Sequence, residues 1–549
     1  MKNKILTLLT IFLTLNSVSF ATDYHIGPGQ PLTNIYEAPW NALQAGDRIY
    51  IHWRSTPYFE KWVINAQGTA LNRIEIIGVS GPNGEKPIID GNGATTPTYL
   101  NYWNENRGLI KIGGSNTPSD DLPSYITIEN LELRSVRPAY NFTTDNGQTD
   151  TYSSNAASIY IEKGEHIIIK DCIIHDSGNG IFIGANGGQT KDILITKNYI
   201  YDNGIVGSIF HHNTYTEALG IIYEYNRFGP LRTGTLGNNL KDRSAGLVVR
   251  YNWIESGNRQ LDLVDAGTSA LYNDTSYAST YVYGNILIEP DGAGNSQILH
   301  YGGDSGTTSQ YRKGNLYFYN NTVISTRNSN TTLARLSTQD EIMNAFNNII
   351  YCTSIGSSLA MINGDGTINM EYNWIKTNWV NAHSGSGTVN DLGNNLNGID
   401  PLFVDFINQD FNLQEGSPLI DAGTVIPAIH LPDHNLLNEY VVHTNSSAKQ
   451  VENSLDIGAF EKKATLHVTD FSQERIVVYP NPVSETIHIK NNTSNLIDEV
   501  LLYTSDGKSI KVSYSNNRID VSHVEVGVYF LKIYLQNSNR YQFKKIVIE

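Results

Sequence analysis

The sequence predicts an all-β protein, a right-handed parallel β-helix solenoid followed by a small C-terminal β-sandwich. Three observations point there. The 549-residue chain has 47 Gly and about 60 Asn but only 4 Met and 2 Cys, a turn-dense balance foreign to helical bundles. A short unit of apolar strand, Asn, apolar strand recurs through the middle of the chain. After about Val477 that unit gives way to alternating strands with Asp-Gly and Asn-Pro turns.

The recurring unit reads Ile126-Thr-Ile-Glu-Asn130, Ile167-Ile-Ile-Lys-Asp171, Ile193 to Asn198, Ile222 to Asn226 and Val248 to Asn252. It continues at Tyr281 to Asn285, Leu316 to Asn321, Met343 to Asn348 and Met370 to Asn373. A floor of about 25–28 residues with longer excursions describes coils whose strands stay constant while their loops vary. Strands this short bury no face alone, but stacked coil on coil they enclose a continuous interior. Asn suits the corner because it tolerates left-handed backbone, and equivalent amides are expected to stack as a ladder. Residues up to about 100, with Gly78-Val-Ser-Gly-Pro and Ile88-Ile-Asp-Gly-Asn-Gly, read as first coils and cap.

The N-terminus reads as a targeting segment. Met1-Lys-Asn-Lys is basic, Ile5 to Leu15 is an apolar run of signal-peptide length, and Ser19-Phe20-Ala21 offers a small-residue cleavage site. The expected organisation is therefore a signal over 1–21, a solenoid with its terminal cap over 22–465 and a sandwich over 466–549. No later run is long and apolar enough to span a bilayer. Cys172 and Cys352 both stand in apolar strand contexts and read as separate buried thiols. A formal charge of −16 argues against sequence-independent nucleic-acid binding.

After Asn373 the periodicity fades into Asp400-Pro-Leu-Phe, Asp410-Phe-Asn-Leu, Ser417-Pro-Leu-Ile-Asp-Ala-Gly and Asp456-Ile-Gly-Ala-Phe-Glu461. This series resembles the region that closes the solenoid in many secreted bacterial β-helix proteins. Tyr479-Pro-Asn-Pro-Val, Val500 to Gly507, Gly527-Val-Tyr-Phe-Leu-Lys-Ile and Lys544-Lys-Ile-Val-Ile resemble the C-terminal sorting domain of the Bacteroidetes type IX secretion system. That resemblance implies delivery to the cell surface or medium, with the tail as an address.

Chemistry on a solenoid sits along a strand face. Aligning the coils by their Asn residues makes Ile159, Ile181, Ile209, Leu240 and Leu261 inward. Tyr160, Phe182, Phe210, Lys241 and Asp262 then face out, and two residues further along come Glu162, Gly184, His212, Arg243 and Val264. Tyr215, Glu217, Arg250, Arg259 and Asp265 surround them. Three cations on adjacent coils of an acidic chain suggest an anion site. In uronate β-elimination, Lys241 would act as base, its pKa lowered by Arg243, with His212 or Tyr215 as proton partner. Arg259, Arg250, Asp262, Glu217, Tyr160, Phe182 and Phe210 would bind substrate. In glycoside hydrolysis, Asp262 would pair with Asp265, Asp242 or Glu217.

The Lys241-x-Arg243 strand followed by Arg259 resembles the arrangement in alginate lyases and chondroitinase B of the β-helix lyase class. That resemblance implies Lys241 as base and Arg259 or Arg243 as the carboxylate partner. The patterns of calcium-dependent pectate lyases and of polygalacturonases are not seen. The reading is thus a secreted lyase for an acidic polysaccharide, with a hydrolase and a non-catalytic adhesin as alternatives. Its partners would be that polymer and the type IX machinery. A monomer is expected, no cofactor is implied, and a Ca2+ requirement stays open.

Overall fold

The structure is a computed structural model that describes residues 21–463, 476–491, 496–536 and 541–549. The expected signal segment 1–20 lies outside the described residues. The chain divides into two compact units, Met1–Lys463 and Ala464–Glu549.

The first unit is a parallel β-helix of three long sheets. Sheet 1 has 13 strands, from Asp23–Ile26 to Thr388–Gly393. Sheets 2 and 3 have 11 strands each, running from Ile88–Asp90 to Leu396–Gly398 and from Trp62–Ile64 to Val380–Gly385. Each coil passes from sheet 1 through a tight corner to sheet 2, then by a variable loop to sheet 3. Inward Ile, Leu and Val residues such as Ile128, Ile169, Leu240, Val249 and Leu261 form one continuous core. Each such side chain contributes about 1.5–3 kcal/mol by leaving water.

The corner between sheets 1 and 2 explains the asparagines, with one correction. Its left-handed residue precedes the ladder Asn: Lys197, Tyr225, Tyr251, Gly284, Asn320, Asn347 and Tyr372 have positive φ. The ladder Asn is retained for its amide instead. Asn252 donates both its backbone N–H (2.9 Å) and its Nδ2 (3.0 Å) to Asn285 Oδ1. The same pattern links Asn198, Asn226, Asn252, Asn285, Asn321, Asn348, Asn373 and Asn395. Asn130 and Asp171 carry the positive φ themselves and stand one residue before the ladder position. There Cys172 begins the ladder by donating its N–H to Asn198 Oδ1 at 2.9 Å. Both cysteines are buried free thiols.

The segment after the last coil packs along the side of the solenoid. Phe403, Phe411, Leu413, Tyr440 and Ile457 cover outward Trp253, Ile286, Ile324 and Trp374 of sheet 2. Ile426 and Leu436 cover an aromatic cluster of Tyr225 and Tyr251 at the corner and Tyr283 and Tyr319 on sheet 1. Sheet 3 carries Lys241 and Asp262.

The second unit is a β-sandwich of two four-stranded antiparallel sheets. One contains Ile476–Tyr479, Thr486–Asn491, Tyr514–Ser515 and Arg518–Asp520; the other contains Ile497–Thr504, Ser509–Ile510, Gly527–Leu535 and Tyr541–Ile548. Ile487, Leu502, Ile519, Leu531 and Ile546 fill its core.

Candidate functional site

Parallel pairing places one outward residue of each sheet 3 strand in a single row. Lys111, Tyr160, Phe182, Tyr215, Lys241, Asp262, His300, Arg335 and Asn363 follow one another in register. Aromatic rings therefore occupy one stretch and titratable groups the next. Tyr160 stacks on Phe182 (centroids 5.1 Å apart), and Phe182 meets the edge of Tyr215 at 5.4 Å. The Arg107 guanidinium lies 4.6 Å from the centroid of Tyr160 and 4.9 Å from that of Phe182.

The register differs from the sequence alignment in one coil. The inward residue between Ile181 and Leu240 is Thr214 rather than Ile209, so the outward residue is Tyr215 rather than Phe210. Ile209 and Phe210 stand in a loop, 54% and 71% exposed. The expectation failed because this coil has a polar interior. Thr216 Oγ1 bonds Asp242 Oδ2 (2.8 Å) and Tyr223 Oη (2.7 Å), and fully buried Arg312 meets Asp242 Oδ1 at 3.1 Å. Asp242 accordingly faces inward, away from outward Lys241 and Arg243, and is not available as a catalytic carboxylate.

Asp262 is the hub of the charged stretch. Its Oδ2 accepts from Lys241 Nζ (2.6 Å) and Asn238 Nδ2 (2.7 Å), and its Oδ1 from His300 Nδ1 (3.0 Å). Arg259 Nη1 stands 3.7 Å from Asp262 Oδ1, while its Nε and Nη2 donate to Gln297 Oε1. Burial would raise the Asp262 pKa, but Lys241, His300 and Arg259 hold it well below the usual value.

Asp304, in the loop after the next strand, was not anticipated. It meets Lys241 Nζ at 2.6 Å and Arg243 Nη2 at 2.8 Å. Its backbone N–H donates to Asp265 Oδ1 at 2.8 Å. Burial works against the Asp304 carboxylate, yet Lys241 and Arg243 bring its pKa below the usual range. A Gly-Gly-Asp-Ser-Gly run at 302–306, one coil beyond Asp262, was the available signal.

These contacts overturn the expected state of Lys241. Burial alone would lower its pKa, but Asp262 and Asp304 outweigh burial and Arg243, and the pKa is raised. Lys241 is an ammonium clamped between two carboxylates. Arg243 likewise donates Nε to Tyr215 Oη at 3.0 Å and Nη1 to the Asp265 carbonyl. The expected basic island is thus matched by Asp262, Asp265 and Asp304, so it is not a free anion site.

His212 precedes its strand and is buried. Its Nδ1 accepts the Asn238 N–H at 2.9 Å, which leaves the ring proton on Nε2. Burial, helped by nearby Lys241, lowers its pKa to about 3. With that tautomer the ring is a neutral donor and has no free lone pair to act as a base. Glu217 accepts the Gly267 N–H at 2.6 Å, and burial raises its pKa.

Arg250 belongs to a different face. It lies on sheet 1 in strand Ala245–Arg250 and pairs there with Glu224 (2.7 Å) and Tyr283 Oη (3.2 Å). The structure therefore brings together Tyr160, Phe182, Tyr215, Lys241, Arg243, Arg259 and Asp262, with Glu217 and His212 beside them. Phe210 and Arg250 fall outside. Among the described residues no three His, Cys, Asp or Glu side chains are grouped to hold a metal ion.

The last 73 residues decide one question of identity. Residues 477–549 match the Secretion system C-terminal sorting domain. The tail marks the chain for type IX secretion, to the cell surface or extracellular space. No helix of the described residues is long and apolar enough to cross a membrane. No curated protein matches the chain. Solved structures to which the chain shows similarity include the GH136 lacto-N-biosidase of Eubacterium ramulus. It is 14% identical with a TM-score of 0.35, over 69% of this chain and 68% of that one. The DFA-IIIase of Arthrobacter chlorophenolicus A6 is 11% identical with a TM-score of 0.36, over 69% and 98%. A mannuronic acid specific polysaccharide family 6 lyase from human gut microbiota is 10% identical with a TM-score of 0.23, over 64% and 78%. At these values none of them bears on the activity of this chain.

Proposed function

We propose that the protein is a secreted glycan-cleaving enzyme that hydrolyses a glycosidic bond on the outer face of sheet 3. The observation that carries this reading is the pair of carboxylates around Arg243. Burial raises the Glu217 pKa, whereas Asp304 is held ionised by Lys241 and Arg243. Two carboxyl groups driven in opposite directions are what acid-assisted hydrolysis needs. Protonated Glu217 gives its proton to the leaving oxygen. Ionised Asp304 faces the cationic sugar or activates water. The Tyr160, Phe182 and Tyr215 rings supply apolar surface for a sugar ring. Lys241, with Asp262 behind it, positions Asp304.

The uronate lyase remains a second reading because Arg243 Nε donates to Tyr215 Oη at 3.0 Å. That contact fixes the Tyr215 hydroxyl on the same face, where Tyr215 rather than Lys241 would take the C5 proton. The purified chain, incubated with a panel of neutral and acidic polysaccharides, separates the two. New reducing ends without ultraviolet absorbance from an unsaturated uronate support hydrolysis. Reducing ends with that absorbance overturn it in favour of the lyase. Binding without any product makes the protein an adhesin.

A further inference from the structure

The glycan reading leaves one set of contacts on sheet 3 without a role. His300 Nδ1 is 3.0 Å from Asp262 Oδ1, and His300 Nε2 is 2.8 Å from Ser337 Oγ. The three residues come from three successive coils. Asp262 and His300 are direct register partners, and Ser337 follows Leu336, the partner of Tyr301. The relay therefore runs along the axis of the stack, positioned by the parallel ladder itself.

The donors and acceptors assign its protons. An ionised carboxylate only accepts, so the His300 ring carries its proton on Nδ1 and presents a lone pair on Nε2. Ser337 then donates its hydroxyl proton to that nitrogen. Its Oγ also accepts the Gly303 N–H at 3.1 Å and stands 3.2 Å from the Gly303 carbonyl, so the imidazole is its shortest contact. Asp262 is kept ionised by Lys241 and Asn238, so it can orient the ring without taking the proton. His300 is buried while Ser337 is part-exposed at the end of its strand. Gly302 leaves room for this approach, since a Cβ there would lie 2.5 Å from Ser337 Cβ.

We propose that Asp262, His300 and Ser337 form a nucleophilic triad that hydrolyses an ester, an O-acyl group carried on a sugar hydroxyl. The identity of the alcohol rests on the glycan reading; the ester chemistry does not. Ser337 Oγ adds to the acyl carbonyl carbon while its proton passes to His300 Nε2. Collapse breaks the ester C–O bond, and His300 returns the proton to the departing sugar oxygen. Water then adds to acyl-Ser337 with His300 taking its proton, and the carboxylic acid leaves as Ser337 regains its hydrogen.

The test uses the full chain with a fluorophosphonate probe, 4-nitrophenyl acetate and an O-acetylated polysaccharide. The expected results are a covalent adduct mapped to Ser337 by peptide mass, release of nitrophenol, and release of acetate from the polymer. Ser337→Ala is expected to lower ester turnover at least 100-fold. His300→Asn keeps a donor toward Asp262 but has no Nε2 base, and is expected to lose labelling with an unchanged circular dichroism spectrum. No adduct on Ser337 in the wild-type chain, or undiminished ester turnover in Ser337→Ala, overturns the triad. Nitrophenol release with no acetate from the polymer overturns the sugar-ester assignment. Reducing ends are measured separately, so failure of the triad and failure of the glycan reading are distinguishable.

Discussion

Lys241 Nζ lies 2.6 Å from Asp262 Oδ2, an ion pair across adjacent coils with both side chains almost out of solvent. Such a pair is a poor source of a free amine. Breaking it also leaves a charge without its main partner, so this lysine bears on folding as well as on chemistry.

Lys241→Met is therefore expected to destabilise the solenoid by about 3–5 kcal/mol in denaturant unfolding. Adding Asp262→Asn, which removes the stranded charge, should recover part of that loss. A Lys241→Met protein as stable as the wild type would show that Asp262 does not depend on this partner.

Glu217→Gln should lower kcat for glycan cleavage by about 10²–10⁴-fold without lowering the unfolding midpoint, because the side chain keeps its shape and loses its proton. Since burial raises the Glu217 pKa and the protonated form is the acid, wild-type activity should fall as pH rises through that pKa. The same alkaline limb in the residual activity of Glu217→Gln would assign it to another group.

Asn285→Ala removes the oxygen that accepts both the N–H and the Nδ2 of Asn252. The buried Asn252 N–H loses its acceptor while Nδ2 keeps the Tyr223 and Arg250 carbonyls, and the expected cost is about 1–3 kcal/mol. Asn390→Ala, at the exposed end of a second amide row where Nδ2 donates to Asn369 Oδ1, should cost less than about 1 kcal/mol. Equal losses by chemical denaturation would remove burial as the source of the ladder's strength.

His212 carries a pH signature. Its pKa falls from 6.5 to about 3 on burial, so between these values the unfolded chain binds a proton that the folded chain does not. Its contribution is complete above pH 6.5 and is lost as pH falls, at about 1.4 kcal/mol per pH unit. His212→Asn keeps an acceptor for the Asn238 N–H and removes the titration. Its stability should depend less steeply on pH between 6 and 4, by about one proton. Parallel curves from denaturation at several pH values would exclude His212 as the source.

Much of the fold was legible because its cause is local and repeated. Short apolar strands and Asn at regular intervals report a stacked coil, and Tyr479-Pro-Asn-Pro-Val and its companions report the sorting tail. The candidate site was partly legible, since the Lys241, Arg243, Asp262 cluster stood out against faces of Ser, Thr and Asn. Register within one coil was not. A rule that places apolar residues inside chose Ile209, while the chain buries Thr214 and Thr216 against Asp242, Tyr223 and Arg312. Arg312 is 70 residues from Asp242, and nothing in the local text announces the pairing.

The order of residues alone determined that this chain stacks as a solenoid, that its corners carry asparagine and that its tail is an export address, because each follows from a short pattern. Charge state is a different kind of property. Whether Lys241 is a base or a clamped cation depends on Asp304, 63 positions away, and whether His300 faces a nucleophile depends on Ser337 two coils from Asp262. Parallel pairing converts those sequence separations into distances of about 3 Å, where electrostatics decides protonation. Only the tertiary structure could supply them.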